Sequence, residues 1–570
     1  MPVYYNDGLD DAVVYDRQAS FVGGQISNFR ENLLNESQAE LLKDLDAPKN
    51  GVLKSRRGFH RFADLLGGTT PPNSTSVQGI AYFDTDAKEA LIVFVNGKIY
   101  SINSSGTVSD IASAAVKVNS TTARVYTAQS ADKLFYTSHN GNNRIGQIEW
   151  DTSSSAFVVT EFPAAPTNSK FIVSNNFRAF AYQPSDDQIY VSDILAHAAH
   201  GTPPFPTGNA FKVGLGDPVT GLASWVGFNV VVFCKNSCYV VDTAPVPATS
   251  GASTPAASTF KIRTISASTG CVAHGSIAQV GEDLFFLSRT GIRSIRRTME
   301  ENMVASDVGV ISYPIQDVID EINWAAVENA TAVFWNNRYL LSVPTGTSTV
   351  NNTTLCYNTN TSSWTGVWRG TVDEASGTPS STINPYQFVV TQFSGGKPYL
   401  ISLDKVGNPL QFRDFVEDIN LVDTDFQDKT TTTFVDTGWQ AVTRAFTFNE
   451  QVTTKDGEFA EFEFDRSNAV IDIGVILDGA EQTDNLADEL DTGTGEFRLG
   501  NPPAVSHPTI PFDLGSGKLN RFRYSMTQYP EFRELQFKFQ QSGTAGADSK
   551  YLALRSIHAG GFLNSVGVES

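Results

Sequence analysis

The chain carries few sets of residues whose types and spacing could do chemistry. Cys234 and Cys238 form a C-x3-C pair in FCKNSCYVV, and His197 and His200 form an H-x-x-H pair in a loop rich in Pro and Gly. A zinc site needs a second Cys or His pair at a finger-like spacing, or a helix that carries a glutamate beside the histidines, and the sequence offers neither. We interpret both pairs as ordinary strand and loop residues, and we expect no metal and no cofactor.

Paired carboxylates are the other route to catalysis, because a glycosidase needs two of them flanking the sugar bond. The 61 Asp and Glu residues leave such a pair open. The sialidase pattern S-x-D-x-G-x-T-W is absent, and the nearest stretch, NTNTSSWTG at 358–366, is interpreted as a turn followed by Trp364 packed between sheets. No nucleophile elbow, phosphate-binding loop or dinucleotide fingerprint is present. The sequence favours a protein that is not an enzyme, with a propeller glycosidase as the less favoured alternative.

Two basic clusters stand out against the acidity of the chain, whose formal net charge is −20 at pH 7. LKSRRGFHR carries Lys54, Arg56, Arg57 and Arg61, and TGIRSIRR at 290–297 is the second cluster. The overall charge argues against a general nucleic-acid binder, which needs an excess of Lys and Arg for phosphate contacts. The clusters are candidates for contacts with an acidic partner protein or with passing DNA phosphates, and surface ion pairs are the plainer alternative.

Short apolar strands joined by tight turns recur after residue 75. Asn96-Gly97 between two apolar runs indicates a hairpin. Seven strand centres recur at spacings of roughly 42 to 60 residues, which is typical of a β-propeller with several strands in each repeat. A pair of β-sandwiches, the alternative all-β architecture, lacks this longer period. We therefore predict a propeller of six or seven blades over residues 76–428. The strand centres are Val93, Phe135, Phe180, Val231, Phe285, Leu340 and Leu400.

The pattern changes after about residue 428. EFAEFEF at 458–464 alternates Phe with Glu, which predicts an antiparallel sheet with one face in water. We expect residues 429–570 to form a β-sandwich, so that the fold class is all-β. The 38 phenylalanines suit such strands. No apolar run approaches the ~20 residues that cross a bilayer, and no secretory signal is visible, so we expect a soluble product made without export.

Residues 1–75 fit neither pattern. The segment 21–59 opens with Gly23-Gly24 and ends in the first basic cluster. We expect an extended N-terminal arm with one short helix, over about Glu36 to Leu45, that lies across neighbouring elements before the first blade.

This segment resembles the N-terminal region of the nozzle proteins of short-tailed bacteriophages, also called tail tubular protein B or packaged-DNA stabilisation proteins. The resemblance continues through the strands at 228–295 and the ending RELQFKF…LALRSIHAGGF, and it spans most of the chain, in order, as a loose pattern. Its matching N-terminal residues are Gly23, Gly24, Ser37, Gln38, Ala39, Leu42, Leu45, Gly51, Leu53, Lys54, Arg56, Gly58 and Phe59.

The resemblance implies a structural virion protein of the phage tail, assembled in the host cytoplasm. Such proteins form a homohexameric ring below the portal and adaptor, which retains packaged DNA and conducts it during ejection. The implied partners are the adaptor ring, tail fibres or spikes, and double-stranded DNA that passes without sequence-specific binding; no membrane span is implied. A net acidic subunit agrees with this role because it repels phosphate. The alternative is a receptor- or glycan-binding propeller of a phage tail. The candidate assembly-interface residues are Gly23, Gly24, Lys54, Arg56, Arg57 and Arg61.

Overall fold

A computed structural model shows seven groups of three or four antiparallel strands around one axis in the middle of the chain, among the residues that it describes. Six of them are separate sheets, and the seventh is part of a larger sheet. The innermost strands contact one another in sequence, except that the fourth blade meets the fifth through the turn His274–Ser276, and the first contacts the last, so the ring is closed. The fold is therefore a β-propeller, and the blade count is seven. The structure describes residues 13–563 except for 48–50, 66–75, 113–117, 140–143, 163–164, 193–204, 206–207, 215, 244–256, 305–309, 370, 374–377, 381–382, 405–407, 414–426, 430–434, 450, 452, 466, 468, 493–518 and 543–550.

Six of the blades are built from consecutive strands, listed here from the axis outward. Blade 1 comprises Val77–Thr85, Lys88–Val95, Lys98–Ile102 and Val108–Asp110. Blade 2 comprises Val125–Ser130, Lys133–Ser138, Gly146–Asp151 and Ala156–Glu161. Blade 3 comprises Phe171–Asn175, Arg178–Gln183, Gln188–Val191 and Ala210–Phe211. Blade 4 comprises Val219–Trp225, Asn229–Cys234, Cys238–Asp242 and Lys261–Ser266. Blade 5 comprises Ala278–Val280, Asp283–Ser288 and Gly291–Ser294. Blade 6 comprises Thr331–Trp335, Arg338–Val343, Thr353–Asn358 and Ser363–Trp368.

All seven predicted strand centres are confirmed, and each lies in the second strand of its blade. The centres of these strands are apolar on both faces because neighbouring blades cover both faces. In blade 1, Val93 packs in a core shared with Ile401 of blade 7, whereas Ile92 and Phe94 pack in a core shared with blade 2. The Asn96-Gly97 turn is also confirmed, with φ of 51° and 78°.

Blade 7 is closed by a strand from the other end of the chain. Its first three strands are Pro385–Thr391, Tyr399–Asp404 and Pro409–Phe412, and the fourth is Phe59–Arg61. The Phe59 ring lies 4.7 Å from Phe412 and is 2% exposed. The propeller is therefore closed only when Phe59–Arg61, which precedes it in sequence, pairs with Pro409–Phe412 near its C-terminal end.

A β-sandwich is built from both termini. Phe462 of the first sheet packs edge to face against Phe537 and Phe539 of the second, with ring centroids 5.1 and 5.4 Å apart. The first sheet contains Val13–Gln18, Leu45–Asp46, Leu53–Ser55, Lys455–Asp465, Leu519–Ser525 and Ala553–Leu563. The second sheet contains Gly24–Gln25, Gln38–Lys43, Gln440–Thr443, Val470–Leu477, Ala480–Glu481, Ala487–Asp491 and Leu535–Gln541, and it is continuous with blade 6 through the pair Val367 and Lys43. The predicted N-terminal arm is thus built into the sandwich.

The short helix predicted over Glu36 to Leu45 is wrong. Residues Gln38–Lys43 form a strand that pairs with Gln440–Thr443. The register shifts between Ala39 and Leu41, and this bulge lets Ala39 and Leu42 both face the core although they are three residues apart. A spacing of three is a helical signal, so a bulged strand imitates a helix in the sequence.

The remaining elements are short. The helices are Ile295–Val304 and Gln316–Asp320, and the 3-10 turns are Glu31–Leu33, Ala257–Thr259, His274–Ser276, Tyr313–Ile315, Val327–Asn329 and Phe393–Gly395. Two further strand pairs are Thr371–Asp373 with Thr378–Ser380, and Gln427–Asp428 with Val435–Asp436.

Replacing Phe59 by Ala should open blade 7 first. Loss of this buried ring should lower the free energy of unfolding by about 3–5 kcal/mol. In hydrogen exchange, protection should fall in Pro409–Phe412 and much less in the other blades. Phe157→Ala, the same change in the outer strand of blade 2, should lower protection in blade 2 and in blade 1, whose Phe83 ring lies 5.4 Å from the Phe157 ring, and not in blade 7. Equal loss of protection in every blade after Phe59→Ala would contradict the closing role of this strand.

Candidate functional site

Three charged side chains are buried together where the N-terminal segment meets the propeller. We call Arg56, Asp44 and Asp428 the charge cluster. Arg56 donates from Nε to Asp44 at 2.7 Å and from both terminal nitrogens to the Asp428 carboxylate at 2.9 and 2.6 Å. All three side chains are at most 2% exposed. Burial alone would lower the pKa of Arg56, but the two carboxylates outweigh it and raise that pKa, so the guanidinium stays charged. Burial raises the pKa of Asp44, which Arg56 offsets only in part.

The charge cluster joins three parts of the chain. The Asp44 carboxylate accepts a hydrogen bond from the Arg369 backbone N–H, just after blade 6, at 3.2 Å. The Asp428 carboxylate accepts one from the backbone N–H of Phe59, in the closing strand of blade 7, at 3.0 Å. Sandwich, blade 6 and blade 7 are therefore held by the same buried ions.

We call the region where the sandwich meets blades 6 and 7 the joint. Two glycines allow backbone segments to pack closely there. A Cβ on Gly24, whose φ is +69°, would lie 2.2 Å from the Trp364 carbonyl oxygen of blade 6. A Cβ on Gly58 would lie 1.8 Å from the carbonyl oxygen of Gln427. Both obstacles are backbone atoms, which cannot move aside as a side chain can. These glycines therefore serve the fold of the single chain.

The assembly-interface prediction is corrected for Arg56, because a side chain held by two buried carboxylates of its own chain is not available to a partner. Arg57 is also buried, at 8% exposure. The prediction failed because the carboxylate that Arg56 binds most closely is 372 positions away in sequence, and no local pattern links the two.

The other predicted interface residues lie along the same joint. Gly23 donates its N–H to the Ser37 carbonyl at 2.9 Å. Lys54 is half-buried in the sandwich strand Leu53–Ser55. Arg61 lies in the closing strand of blade 7 and pairs with Asp64 at 3.0 Å. The structure brings the six residues to one joint, and it does not gather them on an open surface.

The second basic cluster lies on blade 5 and the helix that follows it. Arg296 pairs with Glu282 at 2.6 Å, and both side chains are more than half exposed. Arg297 is exposed, and Arg293 is half-buried. Arg296 thus matches the plainer alternative of a surface ion pair.

The propeller axis contains two cavities of about 350 and 480 Å³. Polar side chains tie the inner strands around them: the Gln387 amide bridges to the backbone of Ile80, and Gln129 bridges to that of Asp84. Asp84 is the one carboxylate among the described residues that line these cavities.

Arg124 spans the end of the axis at which the inner strands begin. It donates to the carbonyl oxygens of Tyr386 at 2.8 Å and Asn329 at 3.3 Å. Its guanidinium also lies over the rings of Tyr126 and Tyr386, 5.7 and 4.9 Å from their centroids. One side chain of blade 2 therefore links blades 6 and 7 across the axis.

His274 lines the same axis as a neutral side chain. Its ring stacks on Phe171 at 4.6 Å, and Nδ1 accepts the Leu222 N–H at 3.2 Å. Burial, with smaller contributions from Arg124 and Lys170, lowers the pKa of His274 from 6.5 to about 3. These contacts tie blades 3, 4 and 5 together. No motif in the sequence marks this histidine.

The cysteines are buried as free thiols. Burial raises the pKa of Cys234 to about 12 and that of Cys271 to about 11. Within the part of the chain that the structure describes, no three His, Cys, Asp or Glu residues are grouped so that they could hold a metal ion. His197 and His200 lie outside the described residues. Trp364 is 2% exposed and donates to the Ile311 carbonyl at 3.1 Å, as its predicted packing requires.

No helix among the described residues has the length and apolar character needed to span a membrane. No family model matches the chain, and no curated protein matches it. It is similar to several solved propellers. The WD40 β-propeller domain of Doa1 is 10% identical, with 62% of this chain and 96% of that chain covered and a TM-score of 0.35. The AfRom2 CNH domain is also 10% identical, with 63% and 97% covered and a TM-score of 0.33. BBS1N, in a complex with ARL6DN, is 8% identical, with 62% and 96% covered and a TM-score of 0.34. The fold assignment rests on the sheets of this chain.

Replacing Arg56 by Met should leave two buried carboxylates, Asp44 and Asp428, without their cationic partner. We expect the free energy of unfolding to fall by about 3–5 kcal/mol, because a buried charge that loses its partner keeps its desolvation cost. Urea unfolding followed by tryptophan fluorescence measures the change. Arg296→Met, which removes an exposed pair, should change it by less than about 1 kcal/mol. Similar effects of the two substitutions would contradict the role of the charge cluster.

The neutral state of His274 should make stability depend on pH. The unfolded chain takes up a proton near pH 6.5, whereas the folded chain does so only near pH 3. The unfolded state therefore binds more protons between these values, and stability is lost as pH falls below 6.5. The loss should be roughly 1 kcal/mol for each pH unit, relative to a His274→Asn variant. Unfolding free energies of the two proteins at several pH values test this; parallel pH profiles would contradict it.

Proposed function

We propose that this protein is a non-catalytic structural subunit of a short-tailed phage tail. In this proposal it forms the nozzle ring that extends the portal-adaptor channel, retains packaged DNA and conducts it during ejection. Assembly takes place in the host cytoplasm, and tail fibres or spikes are further partners.

The observation that carries the proposal is the position of the residues that resemble the nozzle family. Ala39, Leu42, Leu45 and Leu53 are fully buried in the sandwich core. The other members of the pattern include the two tightly packed glycines, the arginine of the charge cluster and the ring that closes blade 7. The residues that resemble the nozzle family are therefore residues that form the joint between propeller and sandwich. A chain with the same order of residues can build the same joint, and a firm two-domain block suits a subunit that must resist packaged DNA.

The net charge of −20 supports the conduit role. A surface that repels phosphate lets a DNA duplex slide past without being held. Lys and Arg number 41 against 61 Asp and Glu, so a ring of six copies would carry six times this excess of negative charge.

A ring of identical subunits needs two different surfaces on each copy. One candidate is an apolar surface formed by Phe29, Leu33 and Tyr313, which are 42, 66 and 53% exposed, with the rings of Phe29 and Tyr313 5.7 Å apart. It is flanked by acidic residues, Glu31 and Asp317. The other candidate is the exposed run Lys261-Ile262-Arg263 in the outer strand of blade 4. Opposite charges around apolar centres make the two surfaces complementary.

The mass of the purified full chain tests the ring directly. Native mass spectrometry and light scattering should find a hexamer, and negative-stain images should show a closed ring with a central opening. A chain that stays monomeric or trimeric at high protein concentration would overturn the nozzle proposal.

Charge reversal tests the proposed contact. Lys261→Glu with Arg263→Glu should place acidic residues against Glu31 and Asp317 of the next copy and shift the hexamer to monomer. The monomer should keep the circular dichroism spectrum of the unmodified protein, because both side chains are exposed. Lys397→Glu, on an exposed turn of blade 7, is the matched control and should leave the hexamer intact. A hexamer that survives the double reversal would exclude this contact while leaving the ring itself to the mass measurement.

A further inference from the structure

Two neighbouring hairpin turns carry exposed apolar side chains at one end of the propeller axis. Phe177 follows the inner strand of blade 3, and Val226 and Phe228 follow that of blade 4. They are 56, 48 and 43% exposed. The equivalent turns of blades 1, 2, 5 and 6 carry polar or small residues, namely Asp86-Ala87, Ala131-Asp132, Gly281-Glu282 and Asn336-Asn337.

A buried amide holds the two turns beside each other. The Asn175 side chain is 6% exposed. Its Nδ2 donates to Ser224 Oγ at 2.9 Å and also lies within 3.2 Å of the carbonyl oxygens of Gly227 and Asn229. The turn that bears Phe177 is thereby fixed against the turn that bears Phe228. We call these two turns the aromatic rim.

Phe177 is held in an unfavourable backbone conformation. Asn176 and Phe177 have φ of 51° and 56°, in the left-handed region, which costs an L-residue with a Cβ roughly 1–2 kcal/mol. The same kind of turn uses Asn337 in blade 6 and Gly97 in blade 1, residue types that tolerate this region. An exposed ring recovers little of this cost by packing. A strained and exposed aromatic residue at a fixed turn indicates a function for the ring.

The inner strands that lead into the aromatic rim also line the smaller of the two axial cavities. Ser174 and Ser224, which line this cavity of about 350 Å³, directly precede the segments that form the two turns. Thr127, Gln129 and Gln279 add hydroxyl and amide groups to the wall. No Asp, Glu, Lys or Arg is among the described residues that line it. The volume lies at the lower end of the range of small-ligand pockets, roughly 300–1,000 Å³.

We propose that the aromatic rim and this cavity bind a neutral saccharide. The C–H face of a pyranose ring packs on an aromatic face, and its hydroxyls match a wall of hydroxyl and amide groups. An ionic ligand would meet no counter-charge among the described residues that line this cavity. The inference does not depend on the nozzle role, because it concerns the axis of one propeller and not the opening of a ring.

Phe177→Gly separates binding from folding. Gly adopts positive φ without steric strain, so the variant should fold with an equal or higher melting temperature. Saturation-transfer NMR on the full chain, with maltohexaose, cellohexaose, mannohexaose and chitohexaose as probes, should detect binding of at least one of them. The affinity for that probe should fall about tenfold or more in Phe177→Gly. Tyr15→Ala, which removes an exposed aromatic ring in the sandwich, is the matched control and should bind as the unmodified protein does.

Three outcomes would overturn the proposal. The first is that none of the four probes binds at about 10 mM, a concentration that detects even millimolar affinity. The second is that Phe177→Gly binds as well as the unmodified protein, or loses stability, which would make the ring a packing residue. The third is that the aromatic rim captures another tail protein, in a manner lost in Phe177→Gly, while no saccharide binds.

Discussion

The charge cluster of Arg56, Asp44 and Asp428 is the interaction on which the rest of the structure depends. The chain passes between sandwich and propeller twice, once around Arg56 and Phe59 and once at Gln427–Lys429. The two passages lie side by side, since the N–H of Lys429 donates to the Phe59 carbonyl at 2.8 Å. The cluster clamps both passages and also reaches blade 6. The two ion pairs of one cluster therefore stabilise both the closure of the ring and the attachment of the sandwich.

Such a cluster is costly to bury, because three ions lose water, and well-packed apolar residues can replace buried ions without loss of stability. Its value here lies in specificity. Both sheets of the sandwich need N-terminal strands in the correct register, and blade 7 needs the strand that follows them. Arg56 satisfies two carboxylates at once only when all three segments are in place. The geometry of the joint thus discriminates against partly closed arrangements of the same strands.

The propeller axis shows a different balance. At one end, Arg124 and His274 tie blades together through hydrogen bonds and ring contacts, and their polar groups serve the fold. At the other end, Asn175 fixes two turns whose aromatic side chains, Phe177 and Phe228, are 56 and 43% exposed. The contrast between the two ends directs attention to the aromatic rim, because strain that does not support packing has to be explained by contact with something else.

The sequence by itself determined the repeat. The centres of second strands that are covered on both faces must be apolar, and seven such runs at a recurring spacing can be read without coordinates. Turn chemistry at Asn96-Gly97 and the packing of Trp364 were predictable for the same local reasons. Only the tertiary structure decided how the ends of the chain are used. A β-bulge gave Ala39 and Leu42 a helix-like spacing. One partner of Arg56, Asp428, lies 372 positions away in sequence, so the buried position of this charge could not be inferred from local sequence. Local patterns record which face of an element is apolar; they do not record which distant element will cover it or neutralise its charge.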